Sequence, residues 1–255
     1  MSKLTPRSTK WYGWRKDSLD PRDRAFSIVA PITLPPSVDL SITPAMPPIF
    51  NQGSLGSCTA NAIAGAFEYE LRKQQLPDFR PSRLAIYYGE RVIEGTVTSD
   101  AGAEIRDGMK VIAKQGTASE ALWPYVISKF AQKPPTTYYN AAKHHLCVSY
   151  ERVAQTEHAL KTALASGFPI VFGISVFESF ESDAVAKTGD VPMPAKGEQL
   201  LGGHAILMTG YSAYGGVRFR NSWGLWGNKG NGTLPLDYVL DANLASDFWV
   251  AKIVE

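Results

Sequence analysis

Apolar positions in the first half of the chain recur every three or four residues. Ala60, Ile63, Ala64, Phe67 and Leu71 fall on one helical face, and Ala62 and Ala66 widen it. Ser57 stands ahead of this run as an N-cap candidate, and Arg72 and Lys73 place cations where the helix dipole favours them. The spacing predicts further helices over 82–94 and 103–115, the second stopped by Gly116. Past Pro134 and Pro135 the pattern changes. Residues 146–153 and 169–176 read as strands, 157–165 as a short helix capped by Thr156, and 205–211 with 217–221 as paired strands. Helices first and sheet second predict an α+β chain of two packed lobes with a cleft between them, divided near residues 128–137.

Pairing His204 with Asn221 makes the last two strands a hairpin whose loop runs from Gly210 to Gly215. Val217, Phe219 and Asn221 then share the apolar face, while Arg218 and Arg220 point the other way. A carboxamide on an apolar face needs a polar partner, and the imidazole of His204 is a suitable one. Trp223, two residues on, is placed to shield that bond from water.

The start of the chain is different in character. Residues 1–24 hold seven basic residues against Asp17, Asp20 and Asp23, so a basic extension is expected to lie on a slightly acidic body. Trp11, Tyr12 and Trp14 are its candidate anchors. Pro31, Pro35, Pro36, Pro44, Pro47 and Pro48 make 31–50 an extended surface connector. Over 255 residues the net charge is only +2, which argues against nucleic-acid binding driven by phosphate neutralisation. With 44% apolar residues there is material for a substantial core. No apolar run is long enough to span a bilayer, and no apolar stretch follows the early cations as a secretory signal requires. A cytoplasmic location, or export without such a signal, is expected, with the chain acting as a monomer and not on a membrane.

Cys58 and Cys147 are too few for a disulfide scaffold and read as reduced thiols. Cys147 looks like a core residue in a strand. Cys58 sits at the first turn of a helix, where unpaired N–H groups stabilise an anion and lower a thiol's pKa. Among the four histidines, His204 follows two glycines, opens an apolar strand and faces a cleft. Gln52 read alone is a surface glutamine; read with Cys58, it is a donor for a developing oxyanion. His144 and Cys147 lack the further ligands a metal needs, so neither metal nor cofactor is expected.

Asn51-Gln52-Gly53-Ser54-Leu55-Gly56-Ser57-Cys58, Gly203-His204-Ala205 and Asn221-Ser222-Trp223-Gly224 together resemble the three active-site blocks of papain-like cysteine peptidases. They stand in that family's order, with His204 and Asn221 lying 146 and 163 residues after Cys58. The resemblance covers residues 34–255 and implies a helical left lobe over about 50–130 and a β-rich, barrel-like right lobe over about 131–255. It implies Cys58 as nucleophile, His204 as general base and acid, Asn221 as its orienter and Gln52 as oxyanion donor. Ala101, Gly102, Gly203, Trp223 and Trp226 would line the cleft for a polypeptide substrate. Residues 1–33 would be a prosegment acting as an intramolecular inhibitor.

The chain also departs from the family pattern. Leu55 stands where most relatives have a disulfide cysteine, Thr59 where most have tryptophan, and Gly203 is smaller than usual. The stretch from Asn221 to Gly227 is one residue short, and 175–201 is a longer loop that would rim a substrate pocket. The same triad would also serve an acyl transferase or a deamidase, and the fold without chemistry would serve as a binding module; the intact set of four side chains favours the peptidase.

Overall fold

The computed structural model describes residues 12–28 and 32–254. Expectations that rest on Lys3, Arg7, Lys10 and Trp11 lie outside the described residues. Eight helices are formed by α1 (Cys58–Lys73), α2 (Arg83–Glu94), α3 (Ile105–Lys114), α4 (Thr136–Ala142), α5 (Glu157–Ala165), α6 (Asp183–Thr188), α7 (Trp226–Lys229) and α8 (Leu236–Leu240) among the described residues. The strands are β1 (Trp14–Arg15), β2 (Val38–Asp39), β3 (Ala103–Glu104), β4 (Cys147–Arg152), β5 (Ile170–Phe177), β6 (Leu200–Tyr211), β7 (Gly216–Arg220), β8 (Asn231–Pro235) and β9 (Ala245–Val254). Seven strands make one antiparallel sheet in the order β4-β9-β5-β6-β7-β8, with β2 joined to β6. The result is the expected α+β arrangement of a helical lobe against a β lobe.

Helix α1 is buried from Cys58 to Leu71 because α2 and α3 cover one side and β6 and β9 the other. That is why its apolar face is so wide. Ser57 precedes the helix but does not cap it: its hydroxyl is engaged with Tyr125 at 2.5 Å and with the Asn61 amide at 3.1 Å. Ser82 and Thr156 do cap their helices, as expected. No helix among the described residues is long and apolar enough to cross a membrane.

Two expectations need correction. Residues 103–104 are not helical, because their backbone pairs in parallel with Trp14 and Arg15 of the extension. The β6–β7 register also differs from the expected one. Leu207 faces Arg220 and Met208 faces Phe219; after a bulge Gly210 faces Arg218 and Tyr211 faces Val217. Gly210 is not a turn residue. A Cβ there would lie 2.1 Å from the Val38 carbonyl oxygen, so the glycine admits β2, and the loop closes instead on Ser212 and Gly216. Asn221 therefore sits diagonally from His204 on one face rather than directly opposite, still within reach of a side-chain bond.

The extension docks, but with the opposite charge sense from that expected. Its aspartates meet arginines of the body. Asp23 takes two bonds from Arg106, at 2.9 and 2.7 Å, and lies 3.2 Å from Arg152. Asp17, its side chain fully buried, accepts from the Trp249 indole at 2.8 Å and from the Arg106 backbone at 3.1 Å. Arg15 pairs with Glu94 in the expected sense. Ala25 bridges to Arg152, and the Phe26 ring meets Phe168 edge-on. Overall composition misleads here because two well-placed carboxylates in a dry contact outweigh several solvated cations.

Beneath α1 lies a fully buried acid. Glu90 accepts a hydrogen bond from the Thr59 hydroxyl at 2.9 Å, and Gly108 leaves room for its carboxyl group. Burial first of all holds Glu90 well above the usual carboxylate range. The folded protein thus keeps a proton that the unfolded chain loses above its ordinary value, so this residue costs stability as pH rises from about 4.5. Glu90→Gln should be more stable than wild type by a margin that widens toward alkaline pH. Denaturant melts at several pH values check this; a constant margin would contradict it.

Candidate active site

The turn over residues 51–56 is tied to the other lobe by backbone bonds. Gln52 N donates to the Ser222 carbonyl at 2.8 Å, and Gly224 N to the Phe50 carbonyl at 3.0 Å. These bonds bring the start of α1 against the segment after β7. Gln52 is fully buried, not a surface residue. Its Oε1 accepts from the Ser222 hydroxyl at 2.7 Å, and its Nε2 donates to the Leu55 carbonyl at 2.9 Å. The side chain is therefore held rigidly between Ser222 and the turn that precedes Cys58.

Cys58 is the first residue of α1 and has no exposed surface. Backbone N–H groups of Ala205, Gly13 and Thr59 lie close to its sulfur and oppose the effect of burial. Ala205 follows His204 in β6, so the thiol meets the strand that carries the histidine. His204 Nε2 lies 2.8 Å from Asn221 Oδ1, which also accepts the Ser222 N–H at 2.8 Å. That second bond identifies Oδ1 as the carbonyl oxygen, so His204 donates from Nε2 and its Nδ1 carries the lone pair. Trp223 stacks on the imidazole at 4.6 Å and 27°, covering the His204–Asn221 bond as the sequence suggests. Trp226 is buried beside it, stacked on Phe180 at 5.1 Å.

The structure also shows what fills the cleft. Gly13 of the extension lies on the turn before Cys58, where a Cβ would stand 1.7 Å from the Gly56 carbonyl oxygen. Its carbonyl accepts from Ala103 N at 2.6 Å, and it closes on Gly102 as well. Ala101 beside them is exposed. Tyr12 meets both His204 and Trp223 edge-on and bonds Glu181 through its hydroxyl. Trp14 lies over Gly173 and Gly203. The small residue at 203 thus has a physical cause that one sequence does not disclose. Gly13, Gly173 and Asp247 escape sequence reading; a glycine between two aromatic residues is the one local sign of a chain pressed flat.

Placement at a helix start predicts an acidified thiol, yet burial, the largest influence, pushes Cys58 up to about 12. With the extension seated the group is a neutral thiol. Cys147, also free and buried, is likewise pushed up to about 12. Iodoacetamide at neutral pH should therefore label neither cysteine quickly in the intact protein, each reacting well below a free thiol of pKa about 8.5. Displacing the extension should release Cys58 alone, which peptide mass mapping reads directly.

Comparison with known proteins agrees with this geometry. Residues 34–237 match the model of the papain family cysteine proteases. An uncharacterized peptidase C1-like protein of Acanthamoeba polyphaga mimivirus is 47% identical over 216 residues, covering 80% of this chain and 69% of the viral one. Mouse cathepsin K is 31% identical over 205 residues, 77% of this chain and 58% of the cathepsin. Xylellain, a cysteine protease from Xylella fastidiosa, superposes with a TM-score of 0.90 at 39% identity, with both chains fully covered. Xylellain thus shares the fold over the whole length of both chains. This chain belongs to the papain family of cysteine proteases.

Proposed function

We propose that Cys58 attacks peptide carbonyls and that residues 1–33 hold the enzyme latent ahead of a catalytic unit over 34–255. His204 takes the thiol proton through Nδ1 and later gives it to the leaving amine. Asn221 fixes the ring for both transfers. The carbonyl carbon joins Cys58 sulfur as the carbon–nitrogen bond breaks. Water then releases the acid and returns the thiol. The Cys58 backbone N–H and the Gln52 amide steady the oxyanion between these steps. Peptide substrates lie along 101–103, the edge that Gly13 to Arg15 occupy in the closed form, with Gly203 and Trp223 beside them.

The observation that carries latency is the seat of Gly13: it lies against Gly56 in the turn before Cys58 and against Gly102, and its neighbour Tyr12 covers the imidazole. Because no Cβ fits there, Gly13→Val must lift the extension from the cleft. The full chain with this substitution should hydrolyse a fluorogenic peptide at least about tenfold faster than wild type, since a tethered inhibitor acts at millimolar effective concentration. A shortened chain beginning at Leu34 should also gain activity. If neither change accelerates hydrolysis, the extension is only a strap.

A further inference from the structure

The reading of the cleft given above leaves open which peptides it accepts, and the slot around Trp14 bears on that. Its floor is bare backbone. A Cβ at Gly173 would lie 1.9 Å from the Trp14 ring, and one at Gly203 would lie 2.8 Å from the same ring and 2.3 Å from the Trp14 carbonyl oxygen. The two glycines lie diagonally on one face of β5 and β6, where Gly173 pairs with Ala205 and Ser175 with Gly203. The slot therefore has the depth and flatness of a large planar side chain.

At its end stands Asp247. Oδ2 accepts the Trp14 indole N–H at 3.2 Å, and the same oxygen takes the Asp17 backbone N–H at 2.8 Å. Oδ1 is matched by Arg152 Nη2 at 2.6 Å, and the carboxylate side chain is fully buried. Asp247 holds a left-handed backbone, φ 60°, a conformation that aspartate tolerates better than most residues. Arg152 and Arg106 face three carboxylates here, Asp247, Asp17 and Asp23, and burial followed by the Asp247 charge pushes Asp17 up to about 7, so the slot ends in a hydrogen-bond acceptor with little net charge. A neutral flat side chain with an N–H at its edge suits such an end better than a cation.

We propose that this slot selects a tryptophan side chain in the peptide substrate, with Asp247 as the specificity-determining acceptor and Gly173 and Gly203 as the residues that make room. In the closed form the enzyme's own Trp14 occupies the place.

The test uses the full chain with Trp14→Ala, which empties the slot. N-acetyltryptophanamide should bind this variant at least about tenfold more tightly than it binds wild type, and several-fold more tightly than N-acetylphenylalaninamide does, since only the indole satisfies the acceptor. Adding Gly173→Ala should abolish the gain. In a peptide library cleaved by the chain carrying both Gly13→Val, which opens the cleft, and Trp14→Ala, tryptophan should exceed alanine by at least about tenfold at one position before the scissile bond, and Gly173→Ala should collapse that ratio. Equal binding of the tryptophan, phenylalanine and alanine amides would overturn the proposal. So would arginine favoured over tryptophan, which would mean that Asp247 acts as a net charge. Failure of latency looks different: Gly13→Val would then leave the rate unchanged while the amide still bound.

Discussion

Alanine in place of Cys58 or His204 should lower kcat/KM by at least about 10⁴-fold, measured in the Gly13→Val background where the cleft is open. Each residue supplies a step that the other cannot: carbon–sulfur bond formation for one, proton transfer for the other. Losing both should therefore cost little more than losing either. Asn221→Ala should cost less, roughly 10²-fold, because it removes an orienter and leaves the nucleophile and base in place. The His204–Asn221 bond of 2.8 Å under Trp223 is what that substitution breaks. Its effect should fall on kcat rather than KM, since nothing in the bond touches a bound peptide. Additive losses for Cys58 and His204, or an Asn221→Ala enzyme as fast as its parent, would contradict these roles.

The second large effect concerns stability. Asp17→Ala should destabilise the protein by about 2–4 kcal/mol, because it strips the acceptor from the buried Trp249 indole and the Arg106 backbone, a loss partly offset by relief of its repulsion with Asp247, while Arg152 keeps Asp23 and Asp247. For a chain of this size that corresponds to a fall of roughly 4–16 °C in Tm. Gly13→Val, by contrast, disturbs only the cleft segment and should leave Tm nearly unchanged while raising activity. Under the latency proposed above, the extension would act as two devices in series: a plug over Cys58 and a clasp on the body. Differential scanning calorimetry of the two variants separates them. An Asp17→Ala protein melting within about 2 °C of wild type would show that the clasp carries no load.

Much of this was legible in the sequence. The helix of α1 follows from its alanine-rich face, and α5 from Thr156 and the short apolar run behind it. The order of Cys58, His204 and Asn221 points to a candidate site, and the structure places Cys58 at the start of α1, His204 in β6 and Asn221 just after β7. What stayed hidden depends on contacts between distant segments. Gly210 reads as a turn residue until β2 is seen to press on it. Residues 103–104 keep helical periodicity but give their backbone to the extension. Composition gives the wrong charge sense for docking because it counts every cation equally, whereas Asp17 and Asp23 act through buried, directed bonds. The start of α1 alone predicts an acidified Cys58 thiol, but burial removes the water that a thiolate needs.

All of these expectations rest on one sulfur atom being the reactive centre of the molecule. The most direct measurement treats the Gly13→Val chain with an epoxide inhibitor selective for thiol peptidases and maps the adduct by mass spectrometry. The account predicts a single adduct on Cys58, absent from the Cys58→Ala chain and slowed by His204→Ala. An adduct on Cys147 instead, or no adduct with the cleft open, would contradict it.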